Sequence, residues 1–283
     1  MPVIGTNIAA NTALAYLNTN SAAESSALAK ISSGSNITSA SDDAAGLAIS
    51  TNMSSDIAVL QEAATNTTNG ESVLNTADGA LSNISDVLTR MKALATEAQS
   101  GSSDASSLSD IQTEFSALAT EVSNIASQTT FNGQSLLETT NTDGTTSSFT
   151  SSAGASFMTG TSASDTIAVK LTDLTSMISA LSSLDVSSAT GASAAMTTLT
   201  TDIESISTQR ASVGASLEKL QYTGDVISTS ITNLQSANSA ISDVDLSAEQ
   251  TTYTNEQTLT SAAVTALTEA NQMQSELLKV LQG

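Results

Sequence analysis

Residues 196–241 read MTTLTTDIESISTQRASVGASLEKLQYTGDVISTSITNLQSANSAI, and the spacing of their apolar side chains decides the fold. These positions follow one another at alternating steps of three and four residues: Met196, Leu199, Ile203, Ile206, Val213, Leu217, Leu220, Ile227, Ile231, Leu234 and Ile241. Only Arg210, Gly224 and Asn238 interrupt the series. A three-four spacing held over so many turns predicts coiled-coil packing rather than an ordinary surface helix.

A second seam with the same spacing lies in the N-terminal half, and a third follows it between Leu108 and Ile125. The second is a run of Leu74, Ala77, Leu81, Ile84, Leu88, Met91, Ala95 and Ala98, and an upstream piece with the same spacing consists of Met53, Ile57, Leu60 and Ala64. A helix over residues 53–98 or 196–241 would be about 70 Å long. A compact globule of this chain length is only about 50 Å across. We therefore predict a mainly α fold, an elongated antiparallel coiled-coil rod.

The helical spacing stops in the middle of the chain, over about residues 128–165. Asn132-Gly133 and Asp143-Gly144 are turn sequences, and Phe149, Phe157, Ile167 and Val169 alternate as residues of short strands do. We predict a small region of one or two β-hairpins there. Helical spacing returns over residues 171–184.

Composition excludes several classes of function. Of 283 residues, 50 are Ser, 42 Thr and 42 Ala, and there is no Cys, His or Trp. Zinc fingers, His-ligated metal sites and Ser-His-Asp triads therefore cannot be built. We expect no enzyme activity and no cofactor. Two adjacent carboxylates also supply too few ligands for a metal ion, so we interpret Asp42-Asp43 as the cap of a helix that starts near Ala44.

Charge and hydropathy restrict the partners. Seven Lys and Arg against 28 Asp and Glu give a formal charge of −21. So few basic residues argue against binding to nucleic acid or to an anionic membrane surface. No stretch reaches the roughly 18 apolar residues of a membrane-spanning helix, and residues 1–17 lack the features of a cleaved signal peptide. The chain is then either cytoplasmic or exported without such a signal.

The two ends of the chain carry apolar stripes outside the long seams. The stripe residues that we expect to mediate subunit assembly are Ile4, Ile8, Leu14, Leu17, Leu28, Ile31, Leu259, Leu267, Met273, Leu277, Val280 and Leu281. Isolated helices are marginal in water, and the many Ser and Thr residues weaken them further. Pairing the two ends, or stacking them on neighbouring copies, would order them. We therefore predict folding coupled to assembly.

Several motifs occur in an order that resembles the bacterial flagellins. Residues 31–49 (ISSGSNITSASDDAAGLAI) resemble the N-terminal signature of that family. NTADGAL at 75–81, RMKALA at 90–95, TFNG at 130–133, LQSANSAI at 234–241 and the C-terminal ALTEANQMQSELLKVLQG follow. The resemblance covers roughly residues 1–138 and 195–283, which indicates a short flagellin with a reduced central region.

The resemblance implies a division of the chain into five segments. Residues 1–43 and 243–283 would together form the inner tube of a filament. Residues 44–128 and 171–242 would be the rod helices around that tube, and 129–170 a hairpin region on the outer surface.

The resemblance also implies partners and a location. The chain would polymerise with itself in an extracellular filament used for swimming and would leave the cell by type III export. A chaperone would hold the C-terminal segment, and filament cap and hook-associated junction proteins would contact the polymer. A hook–filament junction protein and a flagellin-like surface adhesin or receptor ligand are the alternative functions. Arg90, Leu94 and Glu114 match residues that innate immune receptors recognise in flagellins, and we consider them a candidate epitope.

Overall fold

The structure, a computed structural model, describes residues 6–100, 104–141 and 144–282, with only the backbone of 277, 278 and 280–282. The helices in these ranges are α1 Ile8–Ser33, α2 Ala44–Gln99, α3 Ala105–Gln128, α4 Thr175–Ser182, α5 Ala189–Ser242 and α6 Leu246–Gln282. The strands are β1 Thr130–Phe131, β2 Gln134–Ser135, β3 Ala155–Met158 and β4 Thr166–Val169. The prediction of a mainly α fold with a small hairpin region is confirmed.

The chain divides into two compact units. The terminal unit consists of Met1–Ile57 with Thr232–Gly283, and the central unit of Ala58–Ile231. Helices α2 and α5 each contribute one end to the terminal unit and the remainder to the central unit.

In the central unit α2 and α5 run antiparallel. As the residue number increases along α2, the number of the residue that it contacts on α5 decreases. Thr67 faces Gly224, Asp78 bonds Arg210 and Thr96 approaches Met196. The seam residues lie inside this interface, and Leu81, Ile84, Leu88, Leu199, Ile206 and Leu220 are fully buried. The predicted antiparallel packing of the two long seams is therefore confirmed.

The three interruptions of the α5 seam have polar or open surroundings. Arg210 Nε lies 2.9 Å from an Asp78 carboxylate oxygen. A Cβ on Gly224 would lie 3.8 Å from the Thr67 hydroxyl. In the terminal unit, the Ser50 hydroxyl donates to the Asn238 side-chain carbonyl at 2.7 Å. The breaks in the apolar series are thus places where the helices meet through polar groups.

Two antiparallel hairpins follow α3, the first with its turn at Asn132-Gly133 as predicted and the second with its turn between Met158 and Thr166. Asp143 of the other predicted turn, Asp143-Gly144, lies outside the described residues. Strands β1 and β2 pair around Asn132-Gly133, whose φ angles of 50° and 78° give the left-handed turn that Asn-Gly favours. Strands β3 and β4 pair with Phe157 opposite Ile167. Phe149 lies outside both hairpins, so its assignment to a strand is wrong. It is buried, and its carbonyl accepts from the Leu171 amide.

Helix α4 is shorter than the spacing over 171–184 predicts. The Leu171 amide donates to Phe149 and the Leu174 amide donates to the Leu137 carbonyl. These bonds engage the two amides with carbonyl groups of other segments, and residues 171–174 are not helical. The helix can begin only at Thr175, where Asp173 accepts from the Thr175 amide at 3.0 Å.

Candidate assembly surface

The terminal unit is built on an antiparallel pair of helices, α1 and α6, which pack along each other. Asn7 caps α1, since its side-chain oxygen accepts from the Ala10 amide at 3.0 Å. The amide nitrogen of the same side chain donates to the Ala270 carbonyl on α6 at 2.9 Å. One residue therefore starts α1 and joins it to α6.

At the opposite end of this helix pair, backbone hydrogen bonds join the segment that follows α1 to the segment that precedes α6. Gly34 ends α1 in the left-handed conformation, with φ 72°, and its carbonyl accepts from the Val244 amide at 3.1 Å. The Asn36 amide donates to the Ser242 carbonyl at 2.7 Å. The entry into α6 is thereby placed next to the exit from α1.

The two acidic residues before α2, Asp42 and Asp43, have different roles. Asp43 accepts from the Ala45 and Gly46 amides at the start of α2. Asp42 accepts from the Thr38 hydroxyl and from the amides of Ser39 and Thr38, and these hydrogen bonds lower the pKa of Asp42 to about 2. The interpretation as a helix cap is confirmed for Asp43, whereas the hydrogen bonds of Asp42 close the turn that precedes α2.

The two units differ in what they bury. In the central unit large side chains such as Phe115, Leu136 and Met91 have at most 1% of their surface exposed. Among the described residues of the terminal unit, those that are buried are Ala27, Gly46 and Ala270. The central unit therefore has a core of its own, whereas the described part of the terminal unit buries nothing larger than alanine.

Large apolar side chains of the terminal helices stay in contact with water instead. Among the described side chains of α1 and α6, eight are exposed by 45% or more: Ile8, Leu14, Tyr16 and Leu28 on α1, and Leu246, Leu259, Val264 and Met273 on α6. Burying a Leu or Ile side chain fully contributes about 1.5–3 kcal/mol. Each half-exposed side chain therefore leaves about 1 kcal/mol unrealised, roughly 8 kcal/mol per copy in total. This exposed set is the candidate assembly surface.

The predicted assembly residues are distributed over that surface. Ile8, Leu14, Leu28, Leu259 and Met273 are exposed, and Leu17, Ile31 and Leu267 are half-buried. Ile4 lies outside the described residues, as do the side chains of Leu277, Val280 and Leu281, although α6 continues to Gln282. The structure places the described members on the two paired helices, and their role in assembly stays a prediction.

Three residues of the surface were missed by the sequence reasoning. Tyr16 and Val264 lie off the main apolar stripes, and Leu246 precedes the stripe that starts at Leu259. A signal for Leu246 was present, because Asp245 accepts from the Ser247 and Ala248 amides and so marks a helix start.

The three residues of the candidate epitope lie in the central unit and differ in their exposure to solvent. Arg90 forms an ion pair with Glu114 at 2.7 Å, and their side chains are 56% and 47% exposed. Leu94 is only 2% exposed. The charged pair is accessible to a receptor and Leu94 is not, and recognition itself stays a prediction.

The comparisons with known proteins agree on one family. A model of the bacterial flagellin N-terminal helical region matches residues 4–142, and one of the C-terminal helical region matches residues 196–281. Flagellin from Bacillus subtilis (strain 168) is 34% identical, over 98% of this chain and 99% of the relative. The flagellar filament 33 kDa core protein of Treponema phagedenis is 32% identical, over 93% and 94%.

A solved structure supports the same conclusion. The crystal structure of Bacillus cereus flagellin aligns with a TM-score of 0.51 and 30% identity, covering 62% of this chain and 94% of that chain. In the described part of the molecule, no helix is long and apolar enough to cross a membrane. Two family models together match well over half of the chain, and near-full-length relatives exceed 30% identity. The chain belongs to the bacterial flagellin family.

Proposed function

We propose that this chain is the structural subunit of an extracellular bacterial flagellar filament, and that its terminal helices drive polymerisation. The observation that carries the assembly mechanism is the burial contrast between the two units. Among the described residues of α1 and α6, only Ala27 and Ala270 are buried, so this helix pair lacks the apolar core that normally stabilises packed helices. Contact with further copies would supply that core.

Burial of the exposed side chains between copies could contribute enough free energy to stabilise the terminal helices. The roughly 8 kcal/mol per copy that the exposed side chains could contribute is comparable with the total stability of many domains, about 5–15 kcal/mol. Part of it offsets the loss of motional freedom on association. The net gain appears only when many copies stack, so folding of the ends is coupled to filament growth.

The five segments take up distinct places in this proposal. Residues 1–43 and 243–283 form the inner tube, where the apolar surface is removed from water. Residues 44–128 and 171–242 surround it, and 129–170 face outwards. The difference in burial between the two units supports this arrangement from the inside of the filament to the outside. Segments that have an apolar core of their own tolerate contact with solvent.

Export and accessory partners complete the proposal. The subunit leaves the cell by type III export, with a chaperone on the C-terminal segment, and polymerises between junction proteins and a cap. A chain with no Cys and few large aromatic residues suits passage through a narrow channel, since no disulfide can block it. The family is a structural one, and catalysis has no part in the proposal.

Electron microscopy tests the proposal. Purified full-length protein is compared with a variant that lacks residues 1–31 and 259–283, each with filament seeds and a salting-out salt. Long uniform filaments from the full-length chain alone are expected. Filaments from the truncated variant would refute the role of the ends, and failure of the full-length chain under every condition would refute the subunit function.

A further inference from the structure

A cavity of about 420 Å³ lies on the central unit between α2 and the two hairpins. Three of the four phenylalanines of the chain line it, and the rings of Phe149 and Phe157 are 6.4 Å apart at an angle of 37°. The side-chain amides of Asn69, Asn132 and Gln134 stand among them. None of the described residues that line the cavity carries a charge. It is large enough to accept a whole side chain.

An exposed apolar patch lies on α5 in the same unit. Tyr222 is 69% exposed and Val226 is 64% exposed, which are high values for large apolar side chains. Lys219 stands one turn before Tyr222 on the same face of the helix. Tyrosine suits a contact surface, because its ring is apolar and its hydroxyl bonds a polar group at the far side.

The patch and the cavity lie at the same level on opposite sides of the central unit. The side chains of Leu220 and Phe157 both approach Gly70 of α2. A Cβ atom on Gly70 would lie 3.0 Å from Leu220 Cδ1 and 3.5 Å from Phe157 Cγ. Tyr222 follows Leu220 by two residues, which turns it by about 200° around the helix. Leu220 therefore points towards α2 and the hairpin, and Tyr222 points away from them.

We propose that Tyr222 and Val226 of one copy insert into the phenylalanine-lined cavity of a second copy. The inference rests on the proposed filament function and names one lateral contact within it. Two different surfaces on opposite sides of a subunit make a heterologous contact, which repeats from copy to copy without closing on itself as a two-fold dimer does. The cavity amides are available to the Tyr222 hydroxyl.

Charge favours these surfaces over others for a contact between copies. Each copy carries a net charge of −21, so most pairs of surfaces repel. The described residues that line the cavity carry no charge, and those that line the patch carry one positive and one negative charge, on Lys219 and Glu218. Two surfaces whose lining residues have no net charge repel each other less than two acidic surfaces do.

Cysteine cross-linking tests this contact, because the chain has no cysteine of its own. Ser156 is exposed and lines the cavity, and Val226 can be replaced while Tyr222 is kept. In filaments of Ser156→Cys/Val226→Cys, a short thiol-specific cross-linker should join copies into a ladder of oligomers. The matched control is Ser156→Cys/Gln221→Cys, since Gln221 is exposed on α5 but points about 100° away from Tyr222.

Two single variants keep the test decisive if a double variant polymerises poorly. The thiol of Ser156→Cys should react with a maleimide at least tenfold more slowly in filaments than in unpolymerised protein. Tyr222→Ser should raise the critical concentration for polymerisation about tenfold, equivalent to about 1.4 kcal/mol. Tyr222→Phe should raise it less, because the ring is kept.

The outcomes separate this inference from the proposed function. Normal filaments with equal ladders from both pairs, or with an unprotected thiol at position 156, would overturn the contact and leave the subunit function standing. Absence of filaments from the unmodified chain under every condition would overturn both.

Discussion

Replacing Leu259 by alanine should weaken polymerisation and leave the central unit intact. Leu259 lies on α6 and is 49% exposed, so about half of its side chain still contacts water in a single copy. Burial of that half in a filament contributes about 1 kcal/mol. Its loss should raise the critical concentration about fivefold, since 1.4 kcal/mol corresponds to about tenfold.

The matched control is Leu88→Ala, which removes the same atoms from a fully buried site on α2. This cavity in the core of the central unit should cost about 2–5 kcal/mol. At 2–4 °C per kcal/mol for a domain of this size, the unfolding temperature of the unpolymerised protein should fall by roughly 10 °C. Leu259→Ala should shift it by no more than about 2 °C.

Sedimentation of filaments over a series of protein concentrations gives the critical concentration, and calorimetry of unpolymerised protein gives the unfolding temperature. The reasoning is refuted if Leu259→Ala lowers the unfolding temperature as much as Leu88→Ala and polymerises at the normal concentration. That result would mean that Leu259 completes a core within one copy.

Three further results are expected. Raising the salt concentration should increase filament mass, because screening weakens the repulsion between copies of charge −21; unchanged or lower mass would contradict this. Glu114→Gln should cost less than about 1 kcal/mol of unfolding free energy, since its ion pair with Arg90 is half exposed; a larger calorimetric loss would contradict it. Burial raises the pKa of Asp202 and so penalises its charged form. Asp202→Asn should therefore raise the unfolding temperature at pH 7 but not at pH 3, where the carboxyl is protonated in the folded and unfolded states alike. The control is Glu204→Gln, because Glu204 is exposed. An equal rise at both pH values for Asp202→Asn would contradict this prediction.

Sequence spacing was enough to locate the long helices and the turn at Asn132-Gly133. The reason is that a coiled-coil seam repeats over many turns, so the signal accumulates along the chain. The seams at 53–98 and 196–241 lie within Ala44–Gln99 and Ala189–Ser242. An Asn-Gly pair is equally local, because few other residues accept positive φ at both positions.

Features that depend on distant parts of the chain were not predictable from spacing. Phe149 alternates with its neighbours as a strand residue does, yet it is held by a bond from Leu171, which no local pattern encodes. The breaks at Arg210 and Asn238 were visible, but their partners Asp78 and Ser50 become apparent only when the helices are paired.

The assembly surface was predictable in part, for a related reason. An apolar stripe on a helix indicates a face that will be buried, but not whether the same copy or another copy buries it. Leu17 and Leu267 are half-buried within one copy, and Leu14 and Leu259 stay exposed. That distinction depends on how α1 and α6 are oriented against each other, which only the three-dimensional arrangement gives.

Hydrogen exchange of the full-length protein, before and after polymerisation, tests the central claim most directly. Amides of α1 and α6 should exchange rapidly in unpolymerised protein and at least 100-fold more slowly in filaments, because neighbouring copies supply the missing core. Amides of the central unit should be protected in both states. Strong protection of α1 and α6 before polymerisation, or its absence in filaments, would contradict the account.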